Sequence, residues 1–226
     1  MIHKPAITAG YSKCDTKGFM RKGALLTFEG LDGSGKSTQI SALADLLLEK
    51  GREVIVLREP GGTTISERIR DLLLDVNLRE MDALAELLLY EASRAQLIAE
   101  QIRPALTEGL VVILDRYYDS STAYQGYGRG LDLDLLHEIH RVIAEGVEPL
   151  LSFFIDVPPA ESLGRLQGER DRMELEQLDF FKRVRAGYLE TAAANPDRFI
   201  VLDGKMERQH LHAIIADQTL TALGEM

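Results

Sequence analysis

Residues 24–38 read ALLTFEGLDGSGKST. The first six residues form an apolar run with no polar alternate face, the pattern of a strand buried on both sides of a parallel sheet. Gly30-Leu31-Asp32-Gly33-Ser34-Gly35-Lys36-Ser37 then fits G-x-x-x-x-G-K-[ST]. KSTQISALADLLLEKG follows with helical spacing and closes on Gly51 as a C-terminal cap. A phosphate cradle needs that strand–loop–helix order. Glycines let backbone N–H groups curl around a β-phosphate, and the helix N-terminus adds the positive end of its dipole. Lys36 is placed to reach β/γ oxygens, and the Ser37 hydroxyl to ligate the Mg²⁺ that accompanies ATP. Gly30, Leu31, Asp32, Gly33, Ser34, Gly35, Lys36, Ser37 and Thr38 are therefore the expected ATP-binding segment. A glycine-rich turn that binds nothing is the plain alternative.

Outward from this stretch, short runs rich in Val, Ile, Leu and Phe recur: EVIVL (53–57), LVVIL (110–114), LLSFFID (150–156) and RFIVLD (198–203). Helical spacing separates them at roughly 80–108, 132–145, 176–193 and 207–223. Together with the first run they predict an α/β, three-layer P-loop NTPase fold. Its five-stranded parallel sheet carries helices on both faces and a small lid. Residues 23–226 read as one domain. Residues 1–22 read as a flexible N-terminal extension, or as sequence upstream of a start at Met20.

The 226 residues suffice for one domain with a real core, and 45% of them are apolar. No apolar run is long enough to span a membrane, and the start lacks the apolar core of a secretory signal. A cytoplasmic location is the resulting expectation. The single cysteine, Cys14, excludes an internal disulfide and a cysteine-based metal cage. A net charge of −10 argues against nucleic acid as a partner. An acidic chain can still bind phosphates if its few arginines converge on one cleft.

One such arginine follows the third apolar run. LVVILDRYYDSSTAYQG puts Asp115 at a strand end and Arg116 directly after it. An acid there can hold Mg²⁺ or merely cap the next turn. In parallel sheets, ligands bind beyond the carboxyl ends of strands. Arg116 can therefore grip a substrate phosphate through two N–H groups, or simply neutralise Asp115.

Read together, the motifs FEGLDGSGKST (28–38), REPGGT (58–63), Tyr90-x-x-x-Arg94, DRYYDSSTAYQGYGRG (115–130) and RDRMELEQLDFF (170–181) resemble, in that order, the thymidylate kinase family and its bacterial branch. The resemblance covers about residues 24–223. It implies transfer of the terminal phosphoryl group of ATP, with Mg²⁺, onto dTMP to give dTDP. It places Glu59 and Arg70 beside the acceptor phosphate and suggests a cis Glu59–Pro60 bond. It has Tyr90 stack on thymine while Arg94 bonds the base edge, and assigns Ser121, Tyr124 and Gln125 to reading base and sugar. Asp32 corresponds to the carboxylate at the sugar 3′-hydroxyl, and Tyr124 would crowd the 2′ position.

The lid, about 164–177, holds Arg165, Arg170 and Arg172. Because Ser34 leaves the phosphate loop without a basic residue, the resemblance implies that Arg170 or Arg172 closes onto ATP. The catalytic set is then Lys36, Arg116, Arg170 and Arg172. ATP is bound by the loop plus Arg165, and dTMP by Asp32, Glu59, Arg70, Tyr90, Arg94, Arg116, Ser121, Tyr124 and Gln125. The metal sits at Ser37 and Asp115. A homodimer is also implied. Another P-loop nucleotide kinase and a non-catalytic nucleotide-binding switch are the competing readings. Absence of an Asn-Lys-x-Asp guanine motif weakens a GTPase.

Overall fold

Strand β1 (Ala24–Glu29) is buried at every residue, because it lies at the centre of the sheet. It pairs in parallel with β3 (Val111–Asp115) on one side and β4 (Leu151–Asp156) on the other. Outside these lie β2 (Val54–Arg58) and β5 (Phe199–Asp203), giving the order β2-β3-β1-β4-β5. The computed structural model describes residues 22–166, 168 and 170–224. The expected N-terminal extension, Cys14 included, lies outside the described residues except for Lys22.

Alternation along the central strands sends side chains to two cores. Leu26, Phe28, Val111, Ile113 and Phe153 pack with helices α1 (Lys36–Glu49) and α9 (Arg208–Ala222). Leu25, Val112 and Leu114 face the other way, onto Leu97 of α3 (Ala83–Leu97) and onto Ile98 and Ile102 beyond it. Phe154 joins Val184 and Tyr188 of α8 (Leu178–Ala194). The three layers expected from the sequence are present. Burial on both faces holds for β1, β3 and β4, but not at the edges. Val56 of β2 is 48% exposed and Val201 of β5 is 46% exposed. An edge strand has a neighbour on one side only, so its flanking layer is incomplete.

Among the helices, α6 (Leu133–Ala144), α8 and α9 fall where the spacing predicts. The stretch read as one helix over 80–108 divides into α3, a wide π turn (Ile98–Ile102) and the short α4 (Arg103–Thr107). Helix α2 (Thr64–Leu74) was not among the helices predicted. Only Ser66 and Leu73 are buried in it, so it carries few core markers.

After β3 come a single turn, α5 (Tyr118–Ser121), and a second π turn (Thr122–Gly128). Gly128 sits so close to α8 that an added Cβ would lie 2.7 Å from Phe180. Tight docking of this turn on α8 fixes the direction of the side chains it carries, Tyr124 and Gln125 among them. The lid, between α7 (Pro159–Gly164) and α8, has no regular secondary structure among its described residues.

Register brings the motifs together. Phe28 of β1 and Arg58 of β2 both pair with Asp115 of β3, so three strands end level. The Arg116 N–H donates to the Phe28 carbonyl and the Glu59 N–H to the Asp115 carbonyl, each at 2.9 Å. The phosphate loop, REPGGT and DRYY thus leave the sheet side by side.

Candidate functional site

The loop after β1 turns through Gly30, Gly33 and Gly35, all with positive φ. Space enforces glycine at two of them. A Cβ at Gly30 would lie 2.7 Å from the Ile155 carbonyl oxygen, and one at Gly33 2.7 Å from that of Ser162. Gly35 starts α1 with no side-chain cap, whereas Thr63, Asp82 and Asp132 cap α2, α3 and α6. First-turn amides of α1 are therefore left for an anion. Leu31 and Ser34 are buried, Asp32 and Thr38 are half-buried, and Ser37 is exposed. The Lys36 ammonium bends over the loop and donates to the Gly30 and Leu31 carbonyls, both at 3.1 Å. Burial and the nearby Arg116 charge lower its pKa.

Ser37 and Asp115 line one recess beside α1. Asp115 Oδ1 is buried without a hydrogen-bond partner, 4.0 Å from Lys36 Nζ. An orphaned carboxylate oxygen on a residue that shares a recess with a hydroxyl suits a hard cation. No cluster of three or more His, Cys, Asp or Glu that could hold a metal occurs among the described residues. A Mg²⁺ held by two side chains, water and substrate phosphates fits that donor set.

Next to the loop lies a cavity of about 170 Å³. Its wall contains every residue expected on the acceptor side: Asp32, Glu59, Arg70, Tyr90, Arg94, Arg116, Ser121, Tyr124 and Gln125. Arg116 reaches it from a left-handed backbone, φ 71°. Its Nη2 donates to Asp32 Oδ1 at 2.8 Å, and its Nη1 to Ser120 and Tyr188. Burial would raise the Asp32 pKa, but the Arg116 and Lys36 charges hold it well below the usual carboxylate range. The Tyr124 ring lies under the Arg116 guanidinium, 5.1 Å from centroid to Cζ. The Glu59–Pro60 peptide is cis, and Arg70 Nη1 donates to the Pro60 carbonyl at 2.9 Å.

Tyr90 and Arg94 share a face of α3. Arg94 is fully buried, donating from Nε to Glu59 at 2.7 Å and from both Nη groups to Ser121. It also pairs with Glu91. Burial pushes the Glu59 carboxyl up to about 7 despite Arg94.

The lid arginines separate. Arg165 Nη1 donates to the Gly33 carbonyl at 3.3 Å, on the phosphate loop, and Arg170 is exposed. Arg172, the alternative to Arg170 as the arginine expected to close on ATP, is buried. Its Nη1 lies 2.6 Å from Glu86, and its Nε donates to the Leu73 carbonyl at 2.8 Å. These contacts tie Arg172 to α2 and α3; its Nη2 has no hydrogen-bond partner.

Several contributors escaped the sequence reading. Asp171 and Glu174 of the lid line the cavity, as do Leu74 and Ser120. Glu29 and Glu86 lie behind the wall, each 0% exposed. Glu29 accepts from the Tyr117 N–H at 2.8 Å and from the Ser120 hydroxyl at 2.6 Å, holding the turn that carries Arg116. The signal for both was charge inside an otherwise apolar or core-spaced segment.

Fold and cleft together define a P-loop phosphotransferase with an arginine-lined pocket for a second anionic substrate. The Thymidylate kinase family model matches residues 28–215. The chain is 46% identical over 212 residues to a thymidylate kinase of Prosthecochloris aestuarii, covering 89% of this chain and 95% of the relative. It is 45% identical to one of Thermoanaerobacter sp., over 87% and 97%. A crystal structure of thymidylate kinase from Ehrlichia chaffeensis superposes with a TM-score of 0.72 at 35% identity, over 88% of this chain and 98% of that one. The chain belongs to the thymidylate kinase family. It is an ATP-dependent kinase that phosphorylates dTMP to dTDP.

Proposed function

We propose that ATP lies along the phosphate loop and dTMP fills the adjoining cavity, with in-line transfer where Asp32 and Arg116 meet. The observation carrying this reading is that one cavity, opening onto the phosphate loop at Asp32, contains every residue expected to hold the acceptor. The acceptor phosphate is already anionic, so no strong base is needed. Catalysis is positioning and charge neutralisation. Lys36 and Arg116 neutralise the transferring group, Arg70 and Glu59 orient the acceptor phosphate, and Tyr90, Arg94, Ser121, Tyr124 and Gln125 hold base and sugar. Thr38 and Arg165 steady ATP, and the exposed Arg170 is the lid arginine that closes. Ser37 and Asp115 would hold Mg²⁺, which when bound spreads the negative charge of the phosphate oxygens.

We further read the enzyme as a cytoplasmic homodimer. No helix among the described residues is long and apolar enough to cross a membrane. Ile65 and Leu72 of α2, Leu84 and Leu88 of α3, and Leu135 and Val142 of α6 are exposed apolar residues at helical spacing. A second copy of the same face would cover them.

A steady-state panel of dTMP, dUMP, dCMP and dGMP with ATP and Mg²⁺ tests the acceptor assignment. One methyl group is worth about 1–3 kcal/mol, so dUMP should be a poorer acceptor but not a silent one. Preference for dCMP or dGMP would overturn the thymidylate reading.

A further inference from the structure

Glu86, in the first turn of α3, is completely buried yet surrounded by donors from three other parts of the chain. Gln125 Nε2 donates to its Oε1 at 2.9 Å. Arg129 grips it with Nε at 3.1 Å and Nη2 at 3.0 Å. Arg172 of the lid reaches Oε2 with Nη1 at 2.6 Å. Arg129 also pairs with Glu176, a second lid residue.

An ionised carboxylate only accepts hydrogen bonds. Burial opposes ionisation of Glu86, but the bonds from Arg129 and Gln125 keep it on the charged side. Gln125 must therefore turn its amide nitrogen toward Glu86. Gln125 lines the cavity, and its carbonyl oxygen, to which no described residue donates, is the end left for a ligand. A free glutamine could offer either end to a base. This one is held so that an acceptor faces the ligand. A pyrimidine ring carrying N–H at position 3 matches that oxygen. A cytosine ring, whose N3 is a bare acceptor, opposes it.

We propose that Glu86 is a positioning residue that couples acceptor choice to the lid: one carboxylate fixes which end of Gln125 meets the base and also anchors the lid through Arg172 and Arg129. The proposal rests on reading Gln125 as base-facing. When the base fails to engage the Gln125 oxygen, the strain is passed to a carboxylate that the lid shares. A mismatched acceptor then lowers turnover as well as binding.

Glu86→Gln tests this, because it keeps shape but removes charge and lets Gln125 rotate. The measurements are kcat and KM for dTMP and dCMP, with amide hydrogen exchange over 170–177. The expected result is a fall of about tenfold or more in the dTMP:dCMP ratio of kcat/KM, and faster lid exchange that dTMP no longer suppresses. An unchanged ratio with ordinary lid protection overturns the proposal. If Glu86→Gln does not fold, Glu86→Asp keeps the charge but withdraws it by one methylene; the same loss of selectivity is expected, and its absence counts against the proposal equally. Gln125→Leu separates the two layers of argument. If it leaves the ratio intact, the base-facing reading itself fails. If it collapses the ratio while the Glu86 variants do not, the base-facing reading stands and the coupling is wrong.

Discussion

Arg116 Nη2 and Asp32 Oδ1 meet at 2.8 Å, an ion pair that joins the end of β3 to the phosphate loop after β1. The contact requires an arginine in a left-handed conformation, φ 71°, which is uncommon for a residue with a side chain. Tyr117, Ser120 and Tyr188 hold Glu29 just beneath, and Ser120 and Tyr188 also accept from Arg116. The guanidinium is therefore fixed between the phosphate loop and the adjoining cavity, the two places proposed for the substrates.

Replacing that guanidinium should cost rate rather than fold. Arg116→Ala is expected to lower kcat at least about a hundredfold, the scale for losing a preorganised charge at a transferring group. Lys36→Ala should do the same. Arg116→Lys should recover little, because an ammonium cannot make the forked contacts. Circular dichroism and steady-state kinetics on the purified variants decide it. Near-normal turnover in a folded variant would remove that residue from the catalytic set.

Glu29 gives the enzyme a pH-dependent stability. Burial, and then the Asp119 charge, push its carboxyl up to about 8, far above the value in an unfolded chain. The folded form thus binds this proton more tightly. The stabilisation is complete below the unfolded pKa and is lost as pH rises through about 8. Over that window the loss is on the order of 1.4 kcal/mol per pH unit for one proton. Glu29→Gln mimics the protonated acid and should flatten the decline. Chemical denaturation of both proteins between pH 5 and 8 measures the two slopes; equal slopes would mean that Glu29 stays ionised in the folded protein.

What the sequence disclosed follows from how locally each feature is encoded. Strands β1, β3 and β4 are legible because double-sided burial leaves no polar alternate. The loop from Gly30 to Ser37 is legible because its backbone tolerates few other residues. Helix α2 was not, since its exposed Ile65 and Leu72 blur its apolar face. The acceptor cavity was reached through motif order, not periodicity: Tyr90 alone passes for core. Arg172 could not be told from Arg170 because their difference is a contact with Glu86, more than eighty residues away in the chain. Glu29 and Glu86 were not singled out, for the same reason: the donors that surround them lie far away in the chain.

The exposed apolar faces of α2, α3 and α6 predict a concentration-dependent assembly. Leu88 of α3 is 51% exposed and Leu72 of α2 is 49% exposed. Leu88→Glu would set a charge against its copy across a two-fold interface, where the same patch meets itself. Sedimentation should then show the wild type as a dimer and the variant shifted toward monomer. A wild-type chain that sediments as a monomer at micromolar concentration would refute the dimer.

The two lid arginines should fail in different ways. Arg172 is buried against Glu86 and the Leu73 carbonyl, so Arg172→Ala strips one donor from a buried carboxylate. Arg129 and Gln125 still satisfy Glu86, which keeps the loss near roughly 1–3 kcal/mol rather than the larger penalty for stranding a charge alone. Arg170 is exposed, and its removal should leave stability within about 0.5 kcal/mol. Its effect belongs to the closed lid, so Arg170→Ala should lower kcat with little change in the KM for dTMP. Denaturant melts and dTMP kinetics on both variants separate the cases. If Arg172→Ala proved as stable as wild type but lost turnover, while Arg170→Ala kept it, the roles would be reversed and Arg172 would have to leave Glu86 during the catalytic cycle.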